Sequence, residues 1–185
     1  MDSTTPSHEQ IIAATEAWLV KAVIGLNLCP FATAVHTKKL IRYVVSDART
    51  INALLDDLLK ELEQLAEVNP SEIDTTLLIH PWVLNDFLDY NDFLDVADGA
   101  IEELDLTGII QVASFHPDYQ FAGTAPDDIS NFSNRSPFPT LHLLREDSVA
   151  QAVATYPDVA SIYENNMATL RELGTAGWQR LFKTD

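Results

Sequence analysis

The alternation of two kinds of apolar pattern constrains the fold of this chain more than any other feature. Residues 40–46 (LIRYVVS), 75–80 (TTLLIH) and 109–117 (IIQVASFHP) are short and rich in β-branched residues, which is typical of strands. Between them, residues 51–65 and 85–106 place apolar side chains at helical spacing. Strand–helix–strand crossovers of this kind produce parallel strands with right-handed connections. The sequence therefore predicts an α/β domain with three parallel strands.

Further elements flank this pattern on both sides. Ser7 begins a capping box at the start of a helix, and Pro30 ends that helix near Cys29. A fourth strand, TLHLLR at 140–145, follows a long loop and is expected to lie antiparallel beside the third strand. Two more helices follow, and the first of them is ended by Pro157.

These elements are expected to form one domain over residues 1–185, with residues 1–7 disordered. A chain of 185 residues with 46% apolar residues is long enough to bury a core without disulfides or a structural metal. The predicted fold is of the α/β class: a small mixed sheet of about four strands, three parallel and one antiparallel, covered by helices.

The acidic residues are concentrated in one part of the chain. The net charge is -17, from 28 Asp and Glu against 11 Lys and Arg. Residues 50–130 hold 18 of these acids and a single base, Lys60. If the three parallel strands advance in one direction across the sheet, both acidic helices lie on the same face. A chain with so negative a potential is expected not to bind nucleic acid.

The sequence shows no pattern typical of secretion or membrane insertion. Its N-terminus lacks the basic segment of a secretory signal peptide, and Glu16 and Lys21 interrupt the longest apolar stretch, residues 11–35. The single cysteine, Cys29, cannot form a disulfide within the chain. We therefore expect a cytoplasmic protein that does not bind membranes.

Three histidines fall at or near strand ends. His80 ends the second strand, His116 ends the third, and His142 lies two residues into the fourth. Because ligands of α/β sheets collect at the carboxyl ends of the strands, we expect these imidazoles at one rim. Together they could act as acid and base or hold a divalent transition metal, with Asp118 orienting an imidazole. The alternative is that they are structural and hydrogen-bond to neighbouring backbone.

The loop between the third and fourth strands, residues 118–139, is a second candidate part of a site. Structureless loops of this length are usually functional or disordered, and its four aromatic residues argue against disorder. Its only base, Arg135, has the planar fork that suits a carboxylate or a phosphate. The alternative is an ion pair of Arg135 with Asp127 or Asp128 that pins the loop. The substrate-binding candidates on this loop are Arg135, Asn134 and Tyr119.

Cys29 is a candidate nucleophile. A thiolate activated by one of the rim histidines would supply covalent catalysis. However, Cys29 follows a helix rather than beginning one, so no helix dipole stabilises its thiolate. A buried, inert thiol is the alternative.

Four strings in the sequence carry a resemblance to a known family. They are GLNLCPFA at 25–32, HP at 80–81, FHPDYQFAG at 115–123 and NRSPFPTLHLLRE at 134–146. On these strings the chain resembles a bacterial family catalogued as a domain of unknown function, numbered fourteen-fifteen, over nearly all residues after 10. The resemblance implies a bacterial cytoplasmic protein, and it carries no activity, cofactor or residue role with it.

The sequence leaves two functions open. The first is a cytoplasmic small-molecule enzyme or ligand-binding protein with a histidine-lined pocket at the carboxyl rim of the strands, for which a divalent transition metal is the candidate cofactor. The second is a non-enzymatic acidic protein that binds a basic partner through its acidic helices. The distances among the three imidazoles separate the two, because a shared metal needs its ligands close together.

Overall fold

A four-stranded mixed sheet forms the centre of the molecule. Its strands are β1 (Ile41–Val45), β2 (Thr75–Ile79), β3 (Ile110–Phe115) and β4 (Thr140–Arg145). They lie in the order β1-β2-β4-β3, with β1 parallel to β2 and β4 antiparallel to both of its neighbours. The computed structural model describes residues 5–156 and 158–183. Of the segment 1–7 that was expected to be disordered, residues 1–4 lie outside the described residues, as does the expected helix stop at Pro157, whereas Ser7 caps the helix that begins at His8.

The position of β4 corrects the predicted sheet. A mixed sheet of four strands with covering helices is confirmed, but the expectation of three parallel strands is wrong, since β1 and β2 form the one parallel pair among the described strands. β3 runs in the same direction as β1 and β2, yet it hydrogen-bonds to β4. Crossover helices fix the direction of a strand but not its neighbour, and the long loop after β3 lets β4 return between β2 and β3.

Two acidic helices cover one face of the sheet, which we call the acidic-helix face. They are α3 (Ile51–Glu67), capped by Thr50, and α4 (Phe87–Glu103), capped by Asp86. Both bury a stripe of apolar residues in one core together with the strands. The prediction that the two acidic helices lie on the same face is therefore confirmed.

The remaining helices lie mainly over the opposite face, where they form a second core. They are α1 (His8–Trp18), a π-helical segment (Leu19–Ile24), α2 (Ala32–Thr37), a 3₁₀ helix (Ile129–Asn134) and α6 (Ser161–Leu181). The capping box at Ser7 is confirmed. The expected continuous helix up to Cys29 is interrupted, because Gly25 donates its N–H to Val20, five residues back, and Asn27 then takes a left-handed conformation.

The C-terminal part of the chain contains one further helix and one break. α5 (Glu146–Thr155) follows β4 directly and buries none of its side chains. Gly174 interrupts α6 with φ 62° and ψ 172°, a conformation that is almost confined to glycine. The break turns the last part of α6, and with it Trp178, onto the second core. In the described ranges, none of the helices is both long and apolar enough to span a membrane.

Two arginines connect the sheet to α3 and its following loop. Arg42 forms a two-pronged ion pair with Glu61, with N···O distances of 2.8 and 3.1 Å, and the carboxylate side chain is only 5% exposed. Arg145 donates to the carbonyl of Val68 at 2.7 Å and to that of Ile73 at 3.1 and 3.3 Å. Both guanidinium groups thereby satisfy groups that the fold has removed from water.

Candidate functional site

Two of the three candidate histidines are buried on the acidic-helix face. His80 and His116 are both fully inaccessible to solvent. Nδ1 of His80 donates to the carbonyl of Val83 at 3.0 Å, and Nε2 of His116 donates to that of Leu84 at 3.2 Å. Both imidazoles therefore hold the loop between β2 and α4, as the structural alternative predicts.

Tyr90 of α4 lies between these two imidazoles. Its ring centroid is 5.7 Å from that of His80 and 5.1 Å from that of His116. Its hydroxyl donates to the carbonyl of Thr140 at 2.8 Å and accepts the N–H of Phe115 at 3.0 Å. Tyr90 thus joins the end of β3 to the start of β4. The helical pattern of residues 85–106 includes Tyr90, but that pattern does not indicate its polar role.

His142 lies on the opposite face of the sheet. Its Nε2 is 2.6 Å from the hydroxyl oxygen of Thr75, and its ring is 6.0 Å from that of Phe115. Side chains alternate between the faces of a strand, so His116, the residue after Phe115, points to the other side. The expectation that all three imidazoles meet at one rim is therefore wrong.

Burial controls the protonation of all three histidines. Desolvation lowers the pKa of His80 and of His142 to about 4, and it also lowers the pKa of His116. At neutral pH the imidazoles are therefore uncharged, and they are poorly matched to acid–base catalysis near pH 7. Within residues 5–156 and 158–183, no group of three or more His, Cys, Asp or Glu side chains could hold a metal ion. The described donor groups thus do not fit the divalent transition metal that was the candidate cofactor from the sequence.

The other candidate residues of the loop between β3 and β4 have mainly structural contacts. Asp118 contacts His116 through its backbone N–H, which donates to Nδ1 at 3.0 Å, and not through its carboxylate. Tyr119 packs against Phe87 with ring centroids 5.1 Å apart. The side-chain amide of Asn134 donates to a backbone carbonyl of β3 at 3.1 Å. These contacts position the loop, and none of them places a carboxylate on an imidazole.

Arg135 holds the loop through backbone carbonyls. Its Nε donates to Tyr119 at 3.3 Å and its Nη2 to Pro126 at 2.5 Å, while the guanidinium lies 4.4 Å from the centroid of the Phe132 ring. In the described part of the chain Arg135 forms no ion pair, so the expected pairing with Asp127 or Asp128 is not made. Burial lowers the pKa of Arg135 and Asp118 raises it. The loop is pinned, but the positive charge is not neutralised by a direct contact.

Cys29 lies apart from the buried histidines of the acidic-helix face. It is partly buried and packs against the second core on the opposite side of the sheet. The structure therefore does not bring its thiol together with His80 or His116.

An open groove lies on the side of the second core. Three segments form its walls: α1 together with the π-helical segment, the loop before β4, and the end of α6. Its volume is about 610 Å³. Its walls include four aromatic side chains and two cations: Trp18, Phe132, Trp178, Phe182, Lys21 and Arg135. Of these residues, the sequence analysis had proposed only Arg135 for a site. The spacing of Ala14, Ala17, Trp18 and Lys21 along the helix was an available signal, because such residues share one side.

Trp18 contributes a polar atom without a partner to this region. Its side chain is 2% exposed and lies edge-on to Phe115, with centroids 5.2 Å apart. Its indole Nε1 is buried and has no hydrogen-bond acceptor among the described residues. Buried donors are rarely left unpaired, so this indole is an unusual feature of the second core.

Comparison with known proteins identifies a family but no relative of known activity. A family model described as "Protein of unknown function (DUF1415)" matches residues 10–180. This match confirms the resemblance that the four sequence strings carry. No curated protein and no solved structure matches the chain.

Proposed function

Because the chain belongs to DUF1415, a family whose description assigns no activity, we propose its function from the geometry: the protein binds a small molecule in the groove beside α1. The observation that carries this proposal is the groove itself. Its volume of about 610 Å³ falls within the range of roughly 300 to 1,000 Å³ that small-molecule sites occupy. Its aromatic walls and few convergent polar groups match the usual composition of such sites.

The groups around the groove support binding rather than a reaction. The described wall residues include no imidazole, carboxylate or thiol. The wall hydroxyl of Ser136 is already used, since it donates to the carbonyl of Phe138 at 2.6 Å. His80 and His116 hold backbone carbonyls on the other side of the sheet. We therefore give the groove a binding role and assign it no catalytic residue.

The proposal places this activity in the bacterial cytoplasm. A single cysteine, which cannot form an internal disulfide, supports that location, as does the family resemblance. The net charge of -17 supports a partner other than nucleic acid.

The experiment measures the affinity of two fluorescent probes for the full chain. N-phenyl-1-naphthylamine is uncharged, and 8-anilinonaphthalene-1-sulfonate has the same ring system with an anionic group. We expect at least one of them to bind, with quenching of Trp18 or Trp178, which both line the groove. The substitution Ala17→Trp fills the groove from α1 and should weaken that binding at least about tenfold, which corresponds to about 1.4 kcal/mol.

Ala13→Trp is the matched control. Ala13 is exposed on the same helix and is not part of the groove wall, so this variant should bind the probes as the unchanged protein does. Equal binding by the Ala17→Trp and Ala13→Trp variants would show that the probes lie elsewhere. Absence of binding by both probes would contradict the proposed function.

The acidic-helix face supports a second candidate function, the capture of a basic partner. α3 and α4 together carry 11 acids and one base, and they pack on the same side of the sheet. Retention on an immobilised lysine decapeptide should fall as salt shortens the Debye length from about 10 Å toward 3 Å. It should also fall when the exposed residues Asp92, Asp95 and Asp98 are changed to Asn. Retention that neither change reduces would count against this function.

A further inference from the structure

We propose that the ligand of the groove is an anion attached to an aromatic or similarly apolar body. This inference rests on the proposed function and names the chemistry of its ligand. Arg135 and Lys21 both line the groove, and neither forms an ion pair within the described part of the chain. Lys21 is exposed, whereas Arg135 is partly buried beside aromatic walls. A partly buried cation is stabilised by a counter-ion, and the described residues supply Arg135 with none in direct contact.

The hydrogen bonds of Arg135 leave part of its guanidinium available. Nε and one N–H of Nη2 are used by the carbonyls of Tyr119 and Pro126. A guanidinium has five N–H donors, so three remain, two on Nη1 and one on Nη2, and these can bind a carboxylate, sulfonate or phosphate. The two carbonyls fix the direction of the guanidinium before a ligand arrives, which reduces the entropy that binding costs.

The other walls define the rest of the ligand. Phe132 packs edge-on against Trp178 at 5.3 Å, and Trp178 packs similarly against Phe182 at 5.7 Å. These rings offer apolar surface to a body of similar character. The acidic helices do not oppose an anion here at close range, because α3 and α4 pack on the other face of the sheet. Asp118 raises the pKa of Arg135 but forms no ion pair with it.

The two naphthalene probes test this inference because they share one ring system and differ in the sulfonate. We expect 8-anilinonaphthalene-1-sulfonate to bind at least about tenfold more tightly than N-phenyl-1-naphthylamine, as one charge-assisted hydrogen bond would produce. Arg135→Met should remove most of this preference. Because that substitution also releases two loop carbonyls, Lys21→Met is the second variant, and it should weaken sulfonate binding about threefold without affecting the loop.

Lys38→Met is the matched control for net charge, since Lys38 is exposed and lies outside the groove wall. It should leave both affinities unchanged. If the two probes bind equally well, or if the sulfonate keeps its advantage in both the Arg135→Met and Lys21→Met variants, the anionic ligand is refuted while the proposed binding function stands. If neither probe binds, the proposed function and this inference fail together.

Discussion

Replacing Tyr90 with Phe removes one oxygen atom that joins two strands of the sheet. The hydroxyl donates to Thr140 and accepts from Phe115, and these two residues are partners in the register of β3 and β4. Tyr90 is fully buried, so the variant leaves an N–H and a carbonyl without a partner in a region closed to water. Two lost hydrogen bonds and the desolvation of their partners together cost about 2 to 4 kcal/mol.

Tyr43→Phe provides the matched comparison. The hydroxyl of Tyr43 is also buried, but it has no hydrogen-bond partner among the described residues. Burial and the neighbouring carboxylate of Glu16 raise the pKa of Tyr43 to about 12. Removing a hydroxyl that makes no hydrogen bond is expected to change the free energy of unfolding by less than about 0.5 kcal/mol, or to stabilise the protein.

The assay is urea unfolding, followed by circular dichroism at neutral pH, with the free energy taken from midpoints at a common slope. We expect a large loss for Tyr90→Phe and almost none for Tyr43→Phe. Similar losses of free energy in both variants would refute the reasoning, because only Tyr90→Phe removes hydrogen bonds. A loss below about 0.5 kcal/mol for Tyr90→Phe would refute it equally.

Three further predictions use the same unfolding assay. Arg42→Met leaves the buried Glu61 without its partner and should lower the free energy of unfolding by about 3 kcal/mol. Adding Glu61→Leu should restore most of this loss, and no restoration would contradict a role of Arg42 through the ion pair. Arg145→Lys keeps the charge but loses the planar guanidinium that donates to two carbonyls, and it should lower the free energy of unfolding by about 1 to 2 kcal/mol. An unchanged urea midpoint would contradict this prediction. The pKa of His80 is about 4 when folded and about 6.5 when unfolded, so stability should fall as pH decreases between these values, by up to about 1.4 kcal/mol per unit. His80→Asn should make that dependence less steep, while His142 and His116, whose pKa values are also lowered, keep their share. An equally steep profile would exclude His80 as a contributor.

The periodic elements could be predicted from the sequence because their signals are local. The apolar stripe of α3, including Leu54, Leu58 and Leu62, is visible in any short window and reappears as buried residues. The strand TLHLLR was also found at its observed position, 140–145. Its place between β2 and β3 was not found, because Thr75 and Leu144 are far apart in sequence and nothing near either residue specifies the pairing.

For the candidate site, too, the sequence predicted local positions but not contacts between distant segments. His80 and His116 were correctly placed at strand ends, but their contacts with Val83 and Leu84 depend on how the next loop folds. Whether His142 shares their face depends on pairing register, since a shift of one residue reverses the face of every side chain. The groove combines three segments that are distant in sequence, so the helical spacing from Ala14 to Lys21 could indicate one wall but not the groove as a whole.

The central position of β4 determines the order in which the sheet can be completed during synthesis. β1, α3 and β2 are adjacent in sequence and can associate as soon as they leave the ribosome. β2 and β3, by contrast, have no partner for their facing edges until residues 140–145 have been made. Pairings between residues so distant in sequence slow folding, and unpaired strand edges invite association with other chains. Of the four strands of this sheet, the last to be synthesised is therefore the one that protects the nascent protein from aggregation.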